Sequence, residues 1–104
     1  MSLYFATTNH GKYLTLKDEL SPYDLKLKHA ELELPEPRSD DLSEIAIAKV
    51  VAAYDELQEP CITLDAGFYI YALNGFPGSY VNVALNTIGV DGILTLVEGS
   101  GQGN

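Results

Sequence analysis

Leu3-Tyr4-Phe5-Ala6-Thr7 opens the chain with a short apolar and aromatic run that suits a buried strand. Thr8-Asn9-His10-Gly11 then carries turn chemistry. A helix is expected to follow to about Leu20, because Tyr13, Leu16 and Leu20 are spaced for one buried face and Ser21-Pro22 stops it. The partial alternation of Leu25, Leu27, Leu32 and Leu34 predicts a second strand over 25–34, and Pro35-Glu36-Pro37 predicts a stiff, extended loop. The strongest helix signal comes next. Asp41-Leu42-Ser43-Glu44 matches a capping box, and Ile45, Ala48, Val51 and Ala52 form a stripe at 3.6-residue period running towards Leu57. Beyond Pro60, Cys61 to Asp65 reads as a buried strand, Ala66-Gly67 as a turn and Phe68 to Leu73 as a returning strand. Asn74-Gly75-Phe76-Pro77-Gly78 is a dense turn, and Tyr80 to Ile88 and Asp91 to Val97 read as helices parted by Gly89.

The order strand, helix, strand, helix, hairpin, helix predicts a mixed α/β domain over residues 1–98, with a Gly-rich, frayed tail from 99 to 104. A length of 104 residues allows one modest core, and 46% hydrophobic with 20% charged residues excludes a disordered chain. No membrane span is expected, since Lys49 interrupts the longest apolar candidate, Ile45 to Tyr54, and the N-terminus does not read as a signal peptide. Cys61 is the single cysteine, so no internal disulfide forms within one chain; a reducing, cytoplasmic setting is the expectation. The formal net charge of -9, with no Lys/Arg cluster, argues against nucleic acid polymers as partners. A small phosphate ligand needs only a few lysines, backbone N–H groups or a bridging cation.

Three sets of residues carry candidate chemistry. Thr7, Asn9 and Lys12 lie on a strand–turn–helix, where the helix N-terminus presents unpaired N–H groups and Lys12 adds a full charge; the plainer reading is a turn with a solvated lysine. Glu36, held between prolines, and Asp65, at the end of an apolar strand, are the two carboxylates that a Mg²⁺ ion bridging phosphates would use, although fifteen acidic residues make such pairs easy to find. Lys49 stands at the edge of the apolar stripe, reaching either water or a ligand. Lys12, Glu36 and Asp65 are expected to share one hollow. His10 and His29 match no metal-ligand spacing with each other or with Cys61, so both read as surface residues. Tyr69, Tyr71 and Tyr80 suit core or dimer packing, or stacking on a base.

Taken in order, these segments resemble the inosine/xanthosine triphosphate pyrophosphatase family. Ala6-Thr7-Thr8-Asn9-His10-Gly11-Lys12 is similar to its Thr-x-Asn-x-x-Lys phosphate loop, Leu34-Pro35-Glu36 to its Leu-Pro-Glu segment, and Ser43 to Lys49 to its Glu-Ile-Ala-x-x-Lys helix. Asp65-Ala66-Gly67 and Ala72 to Tyr80 resemble its Asp-Ser-Gly and Ala-Leu-x-Gly-x-Pro-Gly-x-Tyr runs, and Thr87-Ile88-Gly89 with Gly92-Ile93-Leu94 is also family-like. The resemblance implies a mixed twisted sheet with flanking helices, of the anticodon-binding-like or Maf-like kind. It further implies Mg²⁺-dependent cleavage of ITP, XTP or dITP between the α and β phosphates. By the same resemblance Thr7, Asn9, Lys12 and Lys49 hold phosphates, Glu36 helps bind metal, and Asp65 binds metal or orients the attacking water.

Three departures accompany the likeness. Leu64-Asp65-Ala66-Gly67 lacks an acidic residue and a hydroxyl that the family places there, and Asn82 stands where some members carry a lysine. The likeness also covers only the first half of a member, without the half that recognises the base. A truncated domain of this kind is expected to self-associate as a homodimer over exposed strand edges and apolar surface. The competing expectation is a nucleotide-binding or dimerisation domain without turnover.

Overall fold

The computed structural model describes residues 1–101. Strand β1 (Ser2–Ala6) leads into helix α1 (His10–Glu19) and strand β2 (Lys26–Ala30); helix α2 (Leu42–Leu57) follows, then strands β3 (Cys61–Leu64), β4 (Phe68–Ile70) and β5 (Pro77–Gly78), and helices α3 (Val81–Thr87) and α4 (Gly89–Gly99). The five strands form one mixed sheet in the order β2-β1-β3-β4-β5, parallel between β1 and its two neighbours and antiparallel from β3 outwards. The mixed α/β expectation is thus met.

Alternation along β1 sorts the core into two layers. Leu3 and Phe5 point to one face, where Tyr13 and Leu16 of α1, Ala84 of α3 and Ile93 and Val97 of α4 pack with Leu27, Ile62 and Ile70. Ala6 belongs to the other face, with Ala30, Cys61 and Tyr69 covered by Ala46, Val50 and Ala53 of α2. The sheet is therefore sandwiched, with α2 the one helix on its second side among the described residues.

The observed boundaries differ from the sequence pattern in four places. Strand β2 ends at Ala30 rather than Leu34, because the Leu32 N–H turns back onto the Ala30 carbonyl at 3.0 Å and the two prolines that follow keep 31–40 irregular. The inward stripe of α2 is Ala46, Val50 and Ala53, one helical position away from the predicted one, and Val51 lies exposed. The return strand stops at Ile70, after which Tyr71–Leu73 form a short 3-10 turn and Asn74 takes a left-handed conformation at φ 56°. Helix α4 starts at Gly89, whose φ of 68° lets the chain bend by 101° from α3 into α4. The expected tail begins inside that helix's last turn, and its residues 102–104 lie outside the described residues.

Candidate phosphate and metal site

Asp41 caps α2 as the sequence predicts: its Oδ1 accepts the N–H groups of Ser43 at 2.9 Å and Glu44 at 3.3 Å. The reciprocal half of the box runs through Ser39, which accepts the Asp41 N–H at 3.1 Å and donates to Glu44 Oε2 at 3.2 Å. With the helix started at that point, Lys49 falls three residues after Ala46 and four before Ala53, on the inward face. Its side chain is only 19% exposed.

Leu32 and Leu34 pack against the α2 core and carry the irregular segment across that face, which delivers Glu36 to the lysine. Nζ of Lys49 pairs with Oε1 of Glu36 and lies 3.8 Å from Oδ2 of Asp65. Asp65 leaves the end of β3 in a tight turn, its N–H donating to the Gly67 carbonyl at 2.8 Å. Two carboxylates from separate elements thus converge on one positive charge. Glu36 is 71% exposed and Asp65 38%, so the cluster opens to water on the acidic side.

The β1–α1 loop lies beside this cluster, Thr7 and Thr8 lining one hollow with Glu36 and Lys49. The Thr7 N–H donates to the Ala30 carbonyl at 3.0 Å, Thr7 Oγ1 accepts the Asn9 N–H at 3.1 Å, and Asn9 Oδ1 caps α1 by accepting the Lys12 N–H at 3.0 Å. Both side-chain oxygens are used to shape the loop. The Thr7 hydroxyl proton and the Asn9 amide NH₂ remain as donors, the polarity a phosphate requires.

A hollow of about 360 Å³ brings Thr7, Thr8, Glu36 and Lys49 together, with Thr63 and Leu64 in its wall. Asn9 and Lys12 line a neighbouring hollow of about 440 Å³, and Leu64 is common to both. The expected grouping of Lys12 with Glu36 and Asp65 is therefore corrected: the amine between the acids is that of Lys49, and Lys12 stands on the far side of Leu64. The off-by-one stripe explains the difference, since shifting it turns Lys49 inward.

Thr63 was not legible as a site residue. It is buried on β3, and its Oγ1 has no hydrogen-bond partner among the described residues although it lines the Lys49 hollow. A lone hydroxyl inside the apolar run Cys61-Ile62-Thr63-Leu64 is the one sequence signal that could have pointed to it. The tyrosines divide. Tyr69 is buried in the core, Tyr71 stacks on Tyr54 with centroids 3.9 Å apart and planes 3° off parallel, and Tyr80 is exposed.

The donor set fits one kind of metal site. No group of three or more His, Cys, Asp or Glu side chains clusters among the described residues, so a cage built wholly from protein is not available. Mg²⁺ commonly takes one or two carboxylates and completes its shell with water and substrate phosphate, and Glu36 and Asp65 already hold a cationic group between them.

Comparison with known proteins shows which family the chain resembles. The sequence profile of the Ham1 family matches residues 3–102. The chain is 43% identical over 99 residues to the dITP/XTP pyrophosphatase of Methanopyrus kandleri, covering 95% of this chain and 53% of that protein. It is 41% identical to the enzyme of the same description from Saccharolobus solfataricus, covering 89% of this chain and 48% of that one. The chain thus spans about half the length of the curated relatives it matches. A crystal structure described as a nucleoside-triphosphatase or dITP/XTP pyrophosphatase from Mycobacterium abscessus superposes with a TM-score of 0.52 at 20% identity, covering 94% of this chain and 56% of that chain, which shows the shared fold.

Proposed function

The chain belongs to the Ham1 family, and on that footing we propose that it hydrolyses deaminated purine nucleoside triphosphates, ITP, XTP or dITP, to the monophosphate and pyrophosphate. The observation that carries the reading is the Lys49 ammonium held between Glu36 and Asp65, in a hollow that Thr7 also lines. An incoming polyphosphate takes over Lys49 as its counter-ion, and the two released carboxylates are then placed for Mg²⁺. When bound, that ion neutralises charge on the phosphate oxygens. Thr7, Asn9 and Lys12 donate to the rest of the phosphate chain, and the unpartnered Thr63 hydroxyl donates into the same hollow. Asp65, the acid at the strand end, accepts a hydrogen bond from the attacking water and orients it.

Leu64 supports a second reading. Its apolar side chain stands between the two hollows where the family resemblance expects an acid, so binding without turnover is the alternative. Pyrophosphate release from ITP separates the two. Mg²⁺-dependent release by the wild-type chain, lost in Asp65→Asn, supports hydrolysis; nucleotide binding with no release supports the alternative. Equal release by both chains places the chemistry elsewhere.

The same reading extends to assembly and setting. Val83, Leu85 and Leu96 are exposed on α3 and α4, with Ile88 exposed between the two helices and Phe76 and Tyr80 exposed just before them, which supports a homodimer burying this surface. A monomer in light scattering at micromolar concentration overturns that. The charge of -9 supports a small nucleotide rather than a nucleic acid polymer as the partner, and no single helix is long and apolar enough to cross a membrane. A single buried cysteine, Cys61, with no second cysteine in the sequence to pair with, fits a cytoplasmic location.

A further inference from the structure

Two imidazoles that the nucleotide reading does not use face each other beside the β1–α1 loop. His10 opens α1 and His29 lies in β2, nineteen residues away. The parallel register sets Phe5 against His29 and Ala6 against Ala30, so the end of β2 arrives next to the start of α1. Neither histidine has a metal-ligand spacing in sequence, and the sheet supplies the proximity instead.

Three observations bear on what the pair can bind. Nδ1 of His10 lies 3.5 Å from Nδ1 of His29, longer than a good hydrogen bond between nitrogens. Two Zn–N bonds of about 2.0–2.1 Å at a tetrahedral angle place their nitrogens about 3.4 Å apart. Square-planar geometry brings them to about 2.9 Å. The observed separation therefore matches the tetrahedral case.

The second observation fixes the tautomer. Nε2 of His29 is 2.8 Å from the Thr7 carbonyl oxygen, which only accepts, so Nε2 carries the hydrogen. In the neutral ring this leaves a lone pair on Nδ1, directed at His10. A carbonyl on the far nitrogen is also the outer support that metal-bound imidazoles usually have.

The third fixes the ring. His29 stacks on Tyr13 with centroids 4.7 Å apart and planes 11° off parallel, and the Tyr13 hydroxyl is tied to the Leu27 carbonyl at 3.2 Å. His10 is exposed and provides the entry path.

We propose that His10 and His29 form a two-imidazole site for a divalent cation that favours nitrogen ligands and tetrahedral geometry, Zn²⁺ or Co²⁺, with water in the remaining positions. No third His, Cys, Asp or Glu joins them among the described residues, so the site is open and exchangeable. Its nitrogen ligands set it apart in chemistry from the carboxylate pair, because Mg²⁺ prefers oxygen ligands.

The test is a Co²⁺ titration of the full chain without nucleotide, followed by visible absorption and then by Zn²⁺ displacement. One equivalent with the intense bands of tetrahedral cobalt is expected, displaced by Zn²⁺ and not by excess Mg²⁺. His10→Ala should weaken binding by at least about tenfold, as should His29→Ala. The double variant Glu36→Gln/Asp65→Asn should bind as the wild type does. His10 is exposed, so its variant remains informative if the loss of His29 disturbs packing on Tyr13. Binding unchanged in His10→Ala, no binding at millimolar Co²⁺, or loss confined to the carboxylate variant would each overturn the proposal.

Discussion

Gly67 and Gly78 approach so closely that a Cβ built on Gly67 falls 2.0 Å from the Gly78 carbonyl oxygen. The obstacle is backbone, so no side-chain rotation relieves it. Gly67 also accepts the Asp65 N–H, which ties the close approach to the placement of the site carboxylate. Gly67→Ala should therefore destabilise the fold by about 1–3 kcal/mol, read as a lower urea midpoint. A midpoint equal to wild type would mean that the β3–β4 turn is looser than its geometry shows.

Thr63 offers the opposite sign. Its hydroxyl is buried and without a partner among the described residues, an arrangement that costs about 1–3 kcal/mol until a ligand or water satisfies it. Thr63→Val keeps the shape and removes the polar atom. The ligand-free variant should melt at or above the wild-type temperature, yet gain less from added ITP and Mg²⁺. A variant that melts lower without ligand would show that the hydroxyl is already satisfied.

Burial pushes the Cys61 thiol up to about 12 from an ordinary value of 9.0. The folded chain keeps this proton over a range in which the unfolded chain has lost it. The resulting contribution to stability is whole below pH 9 and falls away as the pH climbs from 9 towards 12. Over that window the wild type should lose stability faster than Cys61→Ala, which has no thiol to titrate. Parallel stability curves for the two chains would contradict the buried, neutral thiol.

Much of the fold could be read along the chain because its signals are local. Asp41 with Glu44 marked the start of α2, and Ser21-Pro22 marked the end of α1 within two residues. The Ile45, Ala48, Val51 and Ala52 stripe failed by one position for a physical reason. In a chain whose α2 is apolar almost all round, periodicity alone does not choose between neighbouring faces, and the small residues Ala46 and Ala53 are the ones that fit against the sheet. That single shift decided the orientation of Lys49. The meeting of His10 with His29 and the separation of Lys12 from Glu36 depend on strand register and on where Leu64 projects, which are non-local. Thr7, Asn9, Glu36, Lys49 and Asp65 were picked out by residue type and motif. Only the sheet could say which of them share a cavity.

The central claim is that Lys49, set between Glu36 and Asp65, is the counter-ion a triphosphate takes over. Calorimetric titration of ITP with Mg²⁺ into the wild-type chain and into Lys49→Gln reads this directly. Glu36 is largely exposed, so losing its pair with Lys49 should change stability by no more than about 1 kcal/mol and leave the variant folded. The expected result is saturable binding to the wild type, weakened at least about tenfold in Lys49→Gln, the size of losing one charge-assisted contact. Equal affinity in two equally folded chains would contradict it.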